Sequence, residues 1–249
     1  MDDIVIGGRT RQECEKNLFV VLERLSQHKV QINWSKSFFF ETEIEYLGFK
    51  LTSQGIRPCA SKVEAICNAP APKDLSQLQS FLGLLNYYHR FLPNLSTEIK
   101  PLYELLKKNR ELVWSSACQK AFDNSKKLLI SNDLLEPFDP KKPLILTTDA
   151  IPYGIGAVLS HLVDHIEKPV CFASSTLSPA QMNYCQIHRE ALAVIFGVTK
   201  FHKFLYGTKF TLVTDSAALK KIFNRRVQRP LQYLAFIAGQ YCCQTIHTV

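Results

Sequence analysis

Three acidic residues in the last part of this chain stand where carboxylates from separate elements could meet. Asp149 follows the apolar run Leu144-Ile-Leu-Thr-Thr, Asp215 follows Phe210-Thr-Leu-Val-Thr, and Glu190 lies in the segment between them. A carboxylate at the end of an apolar strand loses hydration and needs a counter-charge or a metal to offset that loss. Asp149 has no basic neighbour in the chain to serve. Converging carboxylates suit a hard, oxygen-preferring cation such as Mg²⁺, and two such ions about 4 Å apart can activate water and stabilise the leaving oxygen of a phosphodiester. The same residues allow a plainer assignment, in which Asp149 caps a strand end, Asp215 caps the helix after it and Glu190 faces solvent.

Other metal chemistry has less basis. His161 and His165 have a spacing that could clamp an ion on a helix, yet Pro152, Gly154, Gly156 and Pro169 around them predict strands and turns. The eight cysteines include no Cys-x-x-Cys pair, and Cys242 and Cys243 are adjacent, so a structural zinc site is not expected. The amino end lacks a secretory signal and no apolar run approaches the roughly 20 residues of a spanning helix, so the thiols are expected reduced, the compartment intracellular, and no membrane partner is expected.

The net charge of +8 is unevenly spread. Residues 1–140 hold 18 Lys and Arg against 17 Asp and Glu, whereas residues 141–249 hold 12 against 5. Within that last region Lys200, Lys203, Lys209, Lys220, Lys221, Arg225, Arg226 and Arg229 fall close in sequence with only Asp215 among them. Such a run fits a surface that tracks phosphates, and equally a solvated basic face.

The elements that must position the acids follow from the periodicity. Thr10-x-x-Glu13 is a capping box opening a helix with Cys14, Leu18, Val21, Leu22 and Leu25 at helical spacing. Phe38-Phe39-Phe40 and Ile44 to Leu51, with a turn at Gly55, predict a hairpin. Pro70 and Pro72 mark a boundary, after which Leu78, Phe81, Leu82, Leu85 and Leu92 predict a helix ended by Pro93, and a second helix is expected from about Lys100 to Lys108. From Lys141 strands take over: Pro143 to Asp149, Gly154 to Leu159 and Pro169 to Ser174 predict an antiparallel meander. Ser178-Pro-Ala-Gln181 opens a long helix stopping near Gly207, and a strand Phe210–Asp215 follows. Short helices through Lys220 and Leu231 and a last strand at Thr245 to Val249 complete the order β-β-β-α-β-α-β. The fold class is α+β.

Several segments together resemble the pol polyprotein of gypsy-type LTR retrotransposons, from the end of the reverse transcriptase palm through RNase H. The resemblance rests on Met1-Asp2-Asp3-Ile4, Tyr46-Leu47-Gly48-Phe49, Phe81 to Pro93, Thr148-Asp149-Ala150, Gly154 to Leu159, Arg189-Glu190-Ala191-Leu192-Ala193 and Thr214-Asp215. It implies a palm remnant with a primer-grip-like hairpin over residues 1–69, a helical thumb and connection over 70–140, and an RNase H-like domain over 141–249.

By that resemblance Asp2 and Asp3 match the paired aspartates of the polymerase motif, and Asp149, Glu190 and Asp215 align with three of the family's four metal-binding carboxylates. The implied activity is Mg²⁺-dependent hydrolysis of RNA in RNA/DNA hybrids, with Mn²⁺ as an alternative ion and nucleic acid as partner. Polymerisation is not expected from this chain alone. The alternative is a catalytically impaired nucleic-acid-binding or partner-binding protein, or a non-functional fragment, and a second subunit is left open. Departures from the pattern include the absence of a fourth acid before Val249, Ile151 in place of a serine, Ser216-Ala217-Ala218 in place of a more polar run, and Pro230 after Arg229.

Overall fold

The computed structural model describes residues 3–107, 112–131, 134–224 and 243–247. The chain divides into two compact units, Met1–Ser53 and Gln54–Val249.

In the first unit the expected capping box forms only in part: the Glu13 amide donates to the Thr10 hydroxyl at 3.2 Å, but the Glu13 carboxylate accepts from the Arg9 amide at 2.8 Å, one residue before the cap, rather than from Thr10 itself. Helix α1 runs from there over Arg11–Gln27. A single 3₁₀ turn, Trp34–Lys36, precedes the hairpin of β1 (Glu43–Tyr46) and β2 (Phe49–Thr52). Tyr46 faces Phe49 across a two-residue loop in which Leu47 and Gly48 both have positive φ, 48° and 71°. That is the twist-matched turn hairpins prefer. Phe38 to Phe40 do not join the hairpin. Phe40 adopts φ 59°, which ends any extended run, and its ring is covered by the Arg11 guanidinium at 4.9 Å. Aromatic composition suggested a strand, but the left-handed residue breaks it.

The second unit opens with β3 (Gly55–Pro58) and α2 (Ala60–Asn68). The Pro70/Pro72 segment is irregular as expected. Helix α3 (Leu75–Tyr87) begins where Asp74 accepts a hydrogen bond from the Gln77 amide at 2.8 Å, and it buries Leu78, Phe81, Leu82 and Leu85. It stops at Tyr87, six residues before Pro93, and Leu92 lies beyond a separate 3₁₀ turn, His89–Phe91. Short helices α4 (Leu95–Glu98) and α5 (Lys100–Glu104) follow, and Lys108 lies outside the described residues. Helix α6 (Ser116–Ile130), capped by Ser115, was not singled out in the sequence; it buries Cys118, Ala121, Phe122, Ser125 and Leu129, with Phe122 against Phe81.

The expected meander is present as β4 (Leu144–Ile151), β5 (Gly154–Val163) and β6 (Ile166–Thr176). The long helix expected from Ser178 is instead three: α7 (Pro179–Met182), α8 (Gln186–Lys200) and α9 (His202–Leu205). Cys185 is extended (ψ 160°) and restarts the chain as the cap of α8, while Phe201, buried in the core, sits at the second break. Strand β7 (Phe210–Val213), helix α10 (Ala217–Asn224) and strand β8 (Cys243–His247) complete the order read from the sequence; Pro230, Leu231 and Val249 lie outside the described residues. The sheet order is β6-β5-β4-β7-β8, antiparallel up to β4 and parallel from β4 onward.

One face of this sheet carries α8. A side chain at Gly197 would come within 3.1 Å of both Ala157 and Thr148, so glycine lets the helix lie close on β4 and β5. Leu146, Leu159, Val194, Val198, Leu205 and Leu212 fill the space between. A separate polar knot ties the preceding helical segment to β6. His89 Nε2 accepts from the Ser174 amide at 3.1 Å, the Ser174 hydroxyl accepts from the Ser96 amide at 2.9 Å, and the Ser96 hydroxyl donates to the Ser174 carbonyl at 2.8 Å.

Burial pushes the His89 imidazole below its usual range, with the Lys200 charge adding to the effect. As pH falls through 6.5 the unfolded chain takes up a proton that folded His89 refuses, so this contribution is full above 6.5 and is lost below it. Urea unfolding midpoints measured from pH 7.5 to 5 should fall for the parent chain relative to His89→Gln; parallel curves would show that the knot does not carry this dependence.

Candidate metal centre

The three acids meet. One carboxylate oxygen from each of Asp149, Glu190 and Asp215 lies within 4.8 Å of the others. Asp149 sits inside β4 rather than at its end, since the strand continues through Ala150 and Ile151. Glu190 is the fifth residue of α8, on the side packed against the sheet, and is only 1% exposed. Asp215 follows β7, beside β4 in the parallel part of the sheet. The aspartates are exposed, so the cluster is a surface cleft with one buried wall.

This arrangement disposes of the plainer assignment. The Leu219 amide donates to the Ser216 hydroxyl at 3.3 Å, so Ser216 supplies the cap of α10 that Asp215 would have supplied. Glu190 does not face solvent. Its Oε1 accepts from the Gln186 carboxamide, while Oε2 is buried with no hydrogen-bond partner. A buried carboxylate oxygen without a donor is costly, and a cation is the partner that also relieves repulsion from two neighbouring acids. The all-oxygen donor set fits a hard divalent ion.

Burial pushes the Glu190 carboxyl up from 4.5 to about 7, with the adjacent Asp215 and then Asp149 adding to the rise and the Gln186 hydrogen bond opposing it. Gln186 itself is held on both sides. Its amide nitrogen also donates to the Ala150 carbonyl at 3.2 Å, and its oxygen accepts from Arg189 Nη2 at 2.7 Å. Gln186 was not singled out in the sequence, and Arg189 entered only as part of the segment Arg189–Ala193, with no role of its own. The available signal was the i, i+4 spacing of Gln186 and Glu190, which places them on one helix face.

The other sequence candidates are distributed as follows. Lys200, at the end of α8, is about 15 Å along the helix from Glu190 at 1.5 Å per residue, and Lys203 lies in α9 beyond it. Lys209 precedes β7 whereas Asp215 follows it, so it too lies at the far end of the sheet from the acids. Lys220 and Lys221 are in α10, directly after Asp215. Arg225, Arg226 and Arg229 lie outside the described residues. Asp2 also lies outside them, and Asp3 is exposed in an extended segment whose carbonyl accepts from the Tyr46 hydroxyl at 3.4 Å. His161 is no ligand: it is buried, its Nε2 accepts from the Asp139 amide at 3.0 Å, and its Nδ1 is 3.1 Å from the Pro143 carbonyl. The six described cysteines form no disulfide.

Without a cation the raised Glu190 carboxyl makes the folded state hold a proton that the unfolded state releases between 4.5 and about 7. Its contribution to stability is therefore full below 4.5 and lost as pH rises through about 7, a change of roughly 3 kcal/mol at 1.4 kcal/mol per pH unit. Unfolding in EDTA at pH 8 should show Glu190→Gln more stable than the parent, and added Mg²⁺ should narrow the gap by stabilising the parent alone. A parent chain at least as stable as Glu190→Gln in EDTA would contradict the electrostatic account.

Residues 114–212 match the family described as "RNase H-like domain found in reverse transcriptase", and residues 1–51 match "Reverse transcriptase (RNA-dependent DNA polymerase)". The chain is 33% identical over 224 residues to the "Retrovirus-related Pol polyprotein from transposon 412" of Drosophila melanogaster, covering 90% of this chain and 18% of that one. It is 33% identical over 218 residues to the "Transposon Tf2-3 polyprotein" of Schizosaccharomyces pombe, covering 86% and 16%, and 32% identical over 260 residues to the Drosophila melanogaster transposon opus polyprotein, covering 99% and 26%. It thus spans about a quarter or less of these relatives' lengths. Among solved structures, the foamy viral protease-reverse transcriptase dRH in complex with double-stranded DNA shares the fold at TM-score 0.82 and 21% identity, over 98% of this chain and 44% of that one. The foamy viral protease-reverse transcriptase in complex with an RNA/DNA hybrid does so at TM-score 0.80 and 21% identity, over 98% and 34%. The chain belongs to the Pol polyproteins of LTR retrotransposons, in the stretch where reverse transcriptase passes into its RNase H-like domain.

Proposed function

We propose that the RNase H-like domain, residues 141–249, hydrolyses the RNA strand of RNA/DNA hybrids, with Asp149, Glu190 and Asp215 as the ligands of Mg²⁺. The observation that carries this reading is the meeting of three carboxylates from three separate elements, one of them holding a buried, unpartnered oxygen. A divalent ion there supplies an activated water and offsets charge on the scissile phosphate. The chain's own part is to hold the ligands. Glu190 would hold the ion in its deprotonated form, Asp149 is fixed by its pairing with Gly156 of β5, and Asp215 is freed by the Ser216 cap. Solved proteins of this fold carry double-stranded DNA or an RNA/DNA hybrid, which supports a nucleic-acid substrate. The position of Lys220 and Lys221 in α10, directly after Asp215, supports a role for them in meeting phosphates near the acids. Choice of RNA requires contact with the 2′-hydroxyl, which phosphate contacts do not supply.

Asp2 and Asp3 are assigned to the polymerase segment, but this chain alone is proposed not to incorporate nucleotides. The first unit buries none of its described residues, so it lacks the packed support that would hold two carboxylates in one geometry. Extension of a primed template by the purified chain would overturn this.

Cleavage of a labelled RNA/DNA hybrid in Mg²⁺ or Mn²⁺ tests the nuclease. Asp149→Asn and Asp215→Asn should each lower the rate by about a hundredfold or more, the scale on which loss of a transition-state charge partner acts. Equal rates in parent and variants would place the chemistry elsewhere. Hybrid affinity should fall steeply with salt as counterions are released, and Lys220→Glu with Lys221→Glu should flatten that slope.

A further inference from the structure

We propose that Gln186 is a positioning residue for the metal centre: its carboxamide, oriented by Arg189, fixes one oxygen of Glu190 so that the other is left for the ion. The proposal rests on the reading of the three acids as metal ligands.

The orientation of this amide follows from its neighbours. Gln186 Nε2 lies against two acceptors, Glu190 Oε1 and the Ala150 carbonyl, while Oε1 lies 2.7 Å from the Arg189 guanidinium. Flipping the amide would set its oxygen against two acceptors and its N–H groups against a cation, so only one orientation is satisfied. Arg189 is itself tied back, Nη1 donating to the Met182 carbonyl at 3.3 Å at the end of α7. A hydrogen-bonded line therefore runs from Met182 through Arg189 and Gln186 to Glu190 and, by the second amide hydrogen, to β4 next to Asp149. It ties the helix that carries one ligand to the strand that carries another.

The line also explains the break between α7 and α8. The restart at Cys185 makes Gln186 the first residue of α8, one turn before Glu190 and beside Ala150. Gln186 is exposed and adds nothing to the hydrophobic core, and its two donated bonds both serve the site. A side chain that holds a ligating carboxylate by its second oxygen acts as outer-shell partners do, and loss of such partners weakens metal binding about ten- to a hundredfold.

Mn²⁺ binding to the purified chain, followed by the electron paramagnetic resonance signal of the free ion and without nucleic acid, tests this. Gln186→Ala should raise the Mn²⁺ dissociation constant about tenfold or more, with the fold intact by circular dichroism because the residue is exposed. Arg189→Leu should raise it several-fold and Arg189→Lys by less. The Gln186→Ala, Arg189→Leu double variant should bind no more weakly than Gln186→Ala alone, since both act through one amide. Parent-like affinity in Gln186→Ala, or losses that multiply in the double variant, would overturn the positioning role while leaving the metal site standing. If the parent shows no Mn²⁺ binding that Asp149→Asn weakens, the metal reading falls and the positioning role falls with it.

Discussion

Three carboxylates at one point, one of them sealed from water, form an arrangement that repels itself. The charge of Glu190 is opposed by its burial and by both aspartates, and a single amide hydrogen bond opposes that push. Folding alone does not relieve the conflict; a proton or a cation must. The structure around the acids can be understood as what it takes to hold this unfavourable cluster in place.

The holding is done mainly by ordinary packing. Helix α8 reaches the depth at which Glu190 meets Asp149 because Gly197 offers no side chain to Ala157 and Thr148. Asp149 is paired with Gly156 of β5, and on the other edge of β4 the pairing with β7 reaches Thr147, two residues before it, so its backbone has little freedom to recoil. The helical segment before the sheet is fastened to β6 by the His89, Ser96 and Ser174 bonds, which use the imidazole as an acceptor and so depend on its remaining unprotonated. Close to the acids, Asn94 takes a left-handed conformation and sets its carboxamide over Gly156, the residue paired with Asp149. A cavity of about 100 Å³ is lined by Pro93, Asn94, Thr148 and Asp149, so the connecting segment comes beside one of the three acids.

Much of this was legible in the sequence, and the reasons are local. The helix caps at Thr10 and Ser178, the meander and the strand at Phe210 each announce themselves through spacing and turn residues, and the acids stand out because apolar strands lead into two of them. What was not legible depends on tertiary contact. Periodicity ran α7, α8 and α9 together because nothing in Asn183-Tyr184-Cys185 is a strong helix breaker, whereas the chain turns extended at Cys185 and restarts there. Phe38 to Phe40 look like a strand until Phe40 turns left-handed under Arg11. The sequence assigned no role to Gln186 or Arg189, since their roles arise only once Ala150 and Met182 are brought beside them. The basic run was continuous in sequence, but the fold sends Lys200, Lys203 and Lys209 to one end of the sheet and Lys220 and Lys221 toward the other.

The first unit differs in kind from the second. Its helix hides no side chain, and Phe38 and Phe19 stand 79% and 70% exposed. Because its apolar surface is already wet, losing its order adds little to the hydration change that gives unfolding its heat capacity increment. A scanning calorimeter would therefore record the endotherm of a chain beginning near residue 54, with the earlier residues thermally almost silent.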